Sequence, residues 1–224
     1  MNVPELSLHT ICGRPRASLA GARIALLAGV CLLCGCLSRP YLNKQTFVFE
    51  IPPTPAPNPA AKTHRVVAIR TSRVAAPFDG RSLVYRTGEF SYESDPYAEF
   101  LVSSAESLLF PIRGWMREAG YFDAVVEPGS ARKPDTMAEI SVLQLYGDFR
   151  QPRDASAVLT IRFVLFDSPR GVPGNLILER EYSRRIPLKA RTAGALMAGW
   201  NEALVQILAQ FGADLQGLGA AAAS

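Results

Sequence analysis

The sequence predicts an α+β protein, a two-layer sandwich in which a mostly antiparallel sheet carries two amphipathic helices on one face. Three observations support this prediction. Several stretches alternate apolar and polar residues, which is typical of strands with one wet face. Two longer stretches repeat apolar residues at helical spacing. Because both helices are apolar on one side only, we expect them to lie together on the sheet.

The N-terminal segment has the pattern of an export signal. Three arginines precede an apolar run at residues 24–33, which is too short to cross a bilayer as a permanent helix. The run ends in Leu33-Cys34-Gly35-Cys36, which resembles the lipobox of bacterial lipoproteins. We therefore expect residues 1–35 to be removed as a lipoprotein signal peptide and the thiol of Cys36 to carry lipid. The alternative is an ordinary signal that is cut nearby, with the cysteine unmodified.

The segment after the signal, residues 36–62, is predicted to be a lipidated N terminus and a proline-rich tether. Five prolines lie between residues 52 and 59, and each lacks an N–H group and has a fixed φ, which favours an extended spacer. Residues 47–51 are β-branched and aromatic, so they could form a first strand. The proline-rich piece is then either a spacer that holds the domain off the membrane or a loop between two strands of that domain.

The predicted α+β domain spans residues 63–216 and begins with strands. Residues 66–69 are an apolar run with basic flanks, which indicates a strand. Residues 82–86 and 89–92 alternate in polarity and flank Thr87-Gly88, which predicts a hairpin with glycine in its turn.

The first predicted helical region begins at Asp95-Pro96. Within it, Ser103 and Glu106 have the spacing of a capping box, in which each side chain accepts from the backbone N–H of the other residue. An amphipathic helix follows, and Gly120 is its expected C-terminal cap. Pro111 lies inside this helix, so we expect a kink or a break there, because proline removes a helical hydrogen bond.

Further strands and a last helix complete the predicted domain. The last helix repeats apolar residues at helical spacing from Thr192, its expected N-cap, to Leu215. Residues 217–224 are small and are predicted to be a disordered tail. The strand before this helix is rich in charge, which suits a solvent-facing surface or an edge. The predicted strands are residues 121–126, 138–151, 155–167 and 175–186.

The composition disfavours several kinds of chemistry. All four cysteines lie in or beside the signal, and His64 is the single histidine after it, so no cysteine–histidine spacing for zinc exists. Asp148 and Asp154 flank a turn and are interpreted as solvated carboxylates. No phosphate loop and no dense stripe of lysine and arginine is visible. We therefore expect no cofactor, no nucleic acid and no catalytic activity, but a tethered binding or assembly module.

Two stretches are candidates for more than a scaffold role. The hairpin sequence Leu83-Val84-Tyr85-Arg86 combines tyrosine and arginine, which are common at interface hot spots. Its alternative interpretation is an ordinary hairpin. The apolar run Phe100-Leu101-Val102 lies just before the capping box, where it could dock a partner or fix the entry of the chain into the helix.

Four short motifs follow the lipobox in order: Arg65-Val66-Val67-Ala68-Ile69, Leu83-Val84-Tyr85-Arg86, Tyr97-Ala98-Glu99-Phe100 and Gly120-Tyr121-Phe122. This order resembles the ABC-type transport auxiliary lipoproteins (PqiC/YmbA-like), over residues 36–215. The resemblance implies a lipoprotein on the periplasmic face of the outer membrane. Leu37, which follows the lipobox cysteine and is not Asp, resembles the form that is directed to that membrane.

The resemblance also implies partners. Such lipoproteins work with an MCE-domain protein, an inner-membrane permease and an ATPase that move lipids across the envelope, so phospholipid is a candidate ligand. No catalytic residue is implied. The alternative is a structural envelope lipoprotein that assists the assembly of an outer-membrane barrel or exporter. The residues expected to face a partner or lipid are Leu83, Val84, Tyr85, Arg86, Tyr97 and Phe100.

Overall fold

A computed structural model describes residues 44–52, 62–127, 129–168 and 174–222. The predicted signal peptide, the lipidation site Cys36 and most of the tether lie outside these ranges. The described chain is α+β, as predicted, with a large mixed sheet and two helices. The elements are β1 (Gln45–Phe47), β2 (Val66–Val74), β3 (Ser82–Arg86), β4 (Tyr92–Phe100), α1 (Ser104–Glu118), β5 (Ala124–Val126), β6 (Thr136–Asp148), β7 (Ser156–Asp167), β8 (Leu176–Pro187) and α2 (Ala193–Ala222).

The eight strands form one sheet that is organised around β6. Along one edge, β6 pairs antiparallel with β7, which pairs antiparallel with β8. Along its other edge, β6 pairs with two parallel strands in succession: with β2 at residues 136–142 and with β3 at residues 147–148. Beyond these, β5 is added parallel to β2, β4 antiparallel to β3 and β1 parallel to β4.

The expected mostly antiparallel sheet is wrong, because the pairs β1·β4, β2·β5, β2·β6 and β3·β6 are all parallel. The physical reason is the long connection from β3 to β6, which contains α1 and brings the chain back in the same direction. Local alternation predicts a strand but does not select its neighbours. The two-layer sandwich stays a prediction.

The helical region expected from Asp95-Pro96 is wrong, because these residues lie inside strand β4. The carboxylate of Asp95 does accept from the backbone N–H groups of Tyr97 (2.7 Å) and Ala98 (3.0 Å), as a residue that begins a helix would. The chain nevertheless stays extended, because Ala98 and Phe100 both enter the core while the residue between them turns the other way.

Helix α1 has the predicted ends but not the predicted break. The hydroxyl of Ser103 accepts from the N–H of Glu106 at 3.2 Å, and Gly120 adopts a φ of 71° just after the helix. Pro111 is buried within one continuous helix. The apolar side chains around it, Ile112 and Trp115 among them, are packed into the core, and this packing outweighs the hydrogen bond that the proline removes.

Helix α2 begins where expected and ends later. The side chain of Thr192 accepts from the N–H of Ala195 at 3.2 Å, which confirms the N-cap. The helix continues to Ala222, through most of the segment that was expected to be disordered. The run at residues 219–223 is all alanine except at its start, and alanine is the best helix former, which accounts for the extension.

Aromatic side chains connect the helices to the sheet. The rings of Trp115 on α1 and Phe211 on α2 lie 6.0 Å apart, and Phe211 stacks on Phe163 of β7 at 4.2 Å. The indole N–H of Trp200 donates to the carbonyl oxygen of Val158 at 3.1 Å. In the described part of the chain, no helix is long and apolar enough to span a membrane.

Candidate functional site

Three of the residues expected to face a partner are buried instead. Leu83 and Val84 of β3 lie in the hydrophobic core, and Phe100 is only 1% exposed. The ring of Phe100 stacks on Phe49 (5.7 Å) and on Trp200 (5.8 Å). The correction is that these three stabilise the fold. Leu83 and Val84 follow one another on β3 and so point to opposite faces of the sheet, and both are buried, which means that neither face of the strand is open at this point.

The end of β3 brings Tyr85 and Arg86 to the surface, half-buried. The Tyr85 hydroxyl donates to Asp95 Oδ2 at 2.6 Å, and its ring packs on Phe149 at 4.7 Å. Burial, together with the hydrogen bond to Asp95, raises the pKa of Tyr85 above its usual range. The Arg86 guanidinium lies 5.7 Å from the ring of Tyr92, and its Nε is buried without a hydrogen-bond partner.

Asp148 lies beside Arg86 at the end of β6 and is not the solvated carboxylate that the sequence suggested. Its side chain is only 5% exposed. It accepts from Arg150 Nε (2.9 Å) and Nη2 (2.7 Å), and from Arg185 Nη1 of β8 (2.9 Å). These arginines, Arg150 first, hold the pKa of Asp148 well below its usual range, although burial opposes them.

We call Arg86, Asp148, Arg150 and Arg185 the arginine cluster. Two guanidiniums share one carboxylate, and the described structure shows no ion pair for Arg86, so the cluster is net positive. It offers donors and charge but neither a nucleophile nor a base that could titrate near neutral pH. Its chemistry is therefore electrostatic: it holds strand ends together and can face an anionic group.

Tyr97 does not belong to the arginine cluster. It lies on β4 next to the stretch that pairs with β1, and it is 57% exposed. Of the six residues expected at one surface, the structure therefore brings only Tyr85 and Arg86 together. The prediction that Tyr97 faces a partner remains a prediction.

A groove of about 360 Å³ lies between α1 and the chain that follows β1. Its walls carry Phe49, Ile51 and Pro52 on one side and Phe110 and Trp115 on the other, with the carboxylates of Glu50 and Glu118 at its margins. The backbone N–H of Glu50 donates to Asn201 Oδ1 of α2 at 3.2 Å. This segment is thus attached to the domain, although sequence analysis left open whether it belongs to a spacer.

The segments that border the groove carry exposed apolar side chains. Phe110 is 80% exposed, and Leu101 is 56% exposed. Val48 and Val102 are also exposed. The backbone N–H of Leu101 donates to the carbonyl oxygen of Phe47 at 2.9 Å, which holds the end of β4 beside β1. We call Val48, Leu101, Val102 and Phe110 the apolar corner.

The run Phe100-Leu101-Val102 is divided between core and surface: the first residue enters the core and the other two are exposed. That the exposed pair docks a partner, and the alternative that it fixes the entry of the chain into α1, both stay predictions. Val48 and Phe110 were not expected at this surface. For Phe110 a signal existed in the helical period, since Leu108, Ile112 and Trp115 define the inner face of α1 and Phe110 falls on the opposite side.

The described residues contain no group of three or more histidine, cysteine, aspartate or glutamate side chains that could hold a metal ion. The two candidate surfaces are the arginine cluster, which is charged, and the apolar corner. Both suit contact with another molecule.

No family model and no curated protein matches the chain, but its fold is similar to solved structures. A DUF330-family protein from Xanthomonas campestris matches with a TM-score of 0.63 and 16% identity, over 77% of this chain and 96% of that chain. An uncharacterised protein matches with a TM-score of 0.59 and 11% identity, over 77% of this chain and 99% of that chain. A lipoprotein from Neisseria meningitidis matches with a TM-score of only 0.34 and 13% identity, over 65% of this chain and 97% of that chain.

The first two similarities show the fold alone, because their identities are low. This chain has the fold of a DUF330 protein over nearly the whole length of that protein. The similarity to the Neisseria lipoprotein is too weak to support an argument.

Proposed function

We propose that this chain is a lipoprotein, anchored through Cys36 in the outer membrane and facing the periplasm. We further propose that it is a non-catalytic auxiliary component of an ABC/MCE-type lipid transport system, in which it docks the conduit at the outer membrane. The observation that carries the proposal is the shared fold with a DUF330 protein, a family of PqiC/YmbA-like proteins, in a chain that also has a lipobox. Sequence motifs and fold support the same family independently.

The position of β1 agrees with a tethered role. Seven residues, 37–43, separate the predicted lipidated cysteine from the start of the described chain at Lys44. After β1, Phe49 enters the core between Phe100 and Trp200. The tether therefore leads directly into a segment that is packed in the core, so the lipid anchor would hold the folded domain close to the membrane.

The arginine cluster and the exposed Tyr97 are the surfaces that we propose for partners. An MCE-domain protein is the proposed direct partner, and the permease and ATPase complete the system. Arginine and tyrosine supply large contact area together with directed hydrogen bonds, and the net positive cluster suits an acidic protein surface or a phospholipid headgroup.

The anchor is tested by metabolic labelling with palmitate, followed by mass spectrometry of the N-terminal peptide. We expect label on the wild-type chain and none on Cys36→Ala. The matched control is Cys34→Ala, which also removes a thiol from the lipobox but keeps a small residue there, so it should remain labelled. Label that persists in Cys36→Ala would contradict the proposal.

The partner is tested by crosslinking in intact cells and affinity purification from membranes. We expect an MCE-domain protein among the crosslinked chains, and weaker recovery with Arg86→Glu than with the exposed control Arg117→Glu. Recovery of an outer-membrane barrel or exporter subunit in its place would favour the alternative, a structural lipoprotein for envelope assembly.

A further inference from the structure

Nine large apolar residues are exposed in the described part of the chain, and four of them form the apolar corner. Val48 follows directly on β1, Leu101 is held beside β1 by a backbone hydrogen bond and Val102 follows it, and Phe110 lines the groove whose other wall begins at Phe49. Apolar surface in such a patch marks a contact with another molecule or with a membrane.

The corner adjoins β1, which is the strand nearest to the anchor along the chain. From Cys36 to Lys44 there are eight peptide links, which reach at most about 28 Å when fully extended. The strand that begins at Gln45 is therefore kept close to the bilayer that holds the lipid. Any apolar surface beside β1 meets that bilayer at a high effective concentration.

The charges around the corner do not favour anionic lipid. Glu50 and Glu118 lie at the margins of the groove, and Glu106 lies in the first turn of α1. Two of the nearby cations are paired, Lys44 with Glu99 at 2.9 Å and Arg113 with Glu127 at 3.1 Å. Arg117 lies exposed two turns after Phe110 on α1, but the three carboxylates outnumber it. We therefore expect an attraction between this surface and a membrane to come from its apolar side chains.

We propose that the apolar corner enters the interfacial layer of the same membrane leaflet that holds the lipid on Cys36, with Phe110 inserted deepest. This inference rests on the lipid anchor of the proposed function. The anchor supplies the affinity, and the corner fixes the orientation, because a lipidated chain alone leaves a domain free to rotate. Strand β8, at the opposite end of the sheet order from β1, is then directed away from the bilayer.

The test uses the full lipidated chain, reconstituted into phosphatidylcholine vesicles whose acyl chains carry bromine, which quenches indole fluorescence on contact. Phe110→Trp places a reporter at the corner. Leu176→Trp is the control on β8: Leu176 is 54% exposed, which matches the 56% of Leu101, the second reporter position in the corner. The native Trp115 and Trp200 are buried and provide the baseline of the unsubstituted protein.

We expect a fractional loss of emission for Phe110→Trp at least about twofold larger than for Leu176→Trp, as interfacial insertion of an aromatic side chain requires. Leu101→Trp is a second reporter that should behave in the same way, in case the first variant is misfolded. Added phosphatidylglycerol should not strengthen the quenching, since Glu50, Glu106 and Glu118 outnumber the one exposed arginine near the corner, Arg117.

Equal quenching of the corner and the β8 reporters in a chain whose lipid is verified by mass spectrometry would overturn this inference and leave the proposed anchor standing. Such a result would leave the corner as a surface for a protein partner or a second copy. Quenching that needs phosphatidylglycerol and is abolished by salt would also overturn it. A chain without acyl groups would overturn both this inference and the anchor.

Discussion

Asp148 connects strand ends that are distant in sequence, because its carboxylate binds Arg150 beside it and Arg185 on β8. Asp148→Asn would leave two guanidiniums with a weaker acceptor. We expect a loss of about 1–3 kcal/mol in the free energy of unfolding, toward the lower end because both guanidiniums are partly in water. Urea unfolding at neutral pH measures it. The control is Asp154→Asn, a loop carboxylate outside the cluster, which should change stability little.

The same carboxylate predicts how stability depends on acid. The arginines lower the pKa of Asp148 in the folded state, so its contribution is present at pH values above the unfolded pKa of about 4. It is lost as the pH falls from there through the folded pKa. The stability of Asp148→Asn should therefore fall less steeply than that of the wild-type chain as the pH is lowered below about 4, and an unchanged slope there would contradict the prediction.

Two tyrosines predict how the stability of the fold decreases at alkaline pH. Burial first, and then hydrogen bonds to Asp95 and Asp214, raise the pKa values of Tyr85 and Tyr182. Their contribution is complete below the unfolded pKa of about 10 and is lost as the pH rises toward the folded values. Above pH 10, the free energy of unfolding of Tyr182→Phe should therefore fall less steeply with pH than that of the wild-type chain, because one of the two titrating tyrosines is removed. Urea unfolding at several pH values measures this slope. A steeper loss in this variant would exclude Tyr182 as the cause.

At the scale of elements, helix α2 approaches the sheet closely at Gly199. A Cβ there would lie 2.8 Å from the Cβ of Ala157 and 2.8 Å from Leu188 Cδ2. Alanine favours a helix over glycine by about 1 kcal/mol, but the methyl of Ala157 is fixed to the backbone of β7 and cannot move aside. We therefore expect Gly199→Ala to destabilise by about 1–2 kcal/mol, as measured by thermal or urea unfolding.

The matched control for this prediction is Gly217→Ala in the same helix. No atom lies within 4 Å of the Cβ position there, so the helix preference acts alone and should stabilise by up to about 1 kcal/mol. If both substitutions stabilised the protein, the close contact between α2 and β7 would be wrong.

The elements themselves were largely predictable from the sequence, and the errors have a local cause. Alternation found the long strands, and Ser103, Gly120 and Thr192 marked helix ends correctly. Asp95-Pro96 led to a wrong prediction of a helix start. The carboxylate of Asp95 accepts hydrogen bonds from the backbone N–H groups of Tyr97 and Ala98, and such bonds occur both at the start of a helix and in an irregular strand.

The candidate surfaces were less predictable, because they depend on contacts across the sheet. Tyr85 and Arg86 could be selected from residue type. The role of Asp148 could not, because its partner Arg185 comes from a strand 37 residues away. The apolar corner likewise joins β1, β4 and α1, and parallel neighbours such as β1 and β4 are not encoded in either strand alone.

At the scale of the whole molecule, the segment at residues 44–52 is part of the domain and not a free spacer. Phe49 is buried against Phe100 and Trp200. We expect Phe49→Ala to cost about 3–5 kcal/mol, through lost burial and a cavity. Val48→Ala, at the exposed neighbouring residue, should cost less than about 0.5 kcal/mol. Equal small effects in urea unfolding would show that the core closes without this segment.

Strand β6 touches three other strands, with β7 along one edge and β2 and β3 sharing the opposite edge. Side chains alternate between the two faces of a sheet with a period of two, so a register shift of one residue moves the inward-facing side chains of a strand to the opposite face. Strand β6 already holds one extra residue opposite β7, between Val142 and Gln144, so a further insertion or deletion within residues 136–142 would misalign β2 and β7 together. Length changes among homologous chains should therefore avoid residues 136–148 and gather at the outer strands β1, β5 and β8.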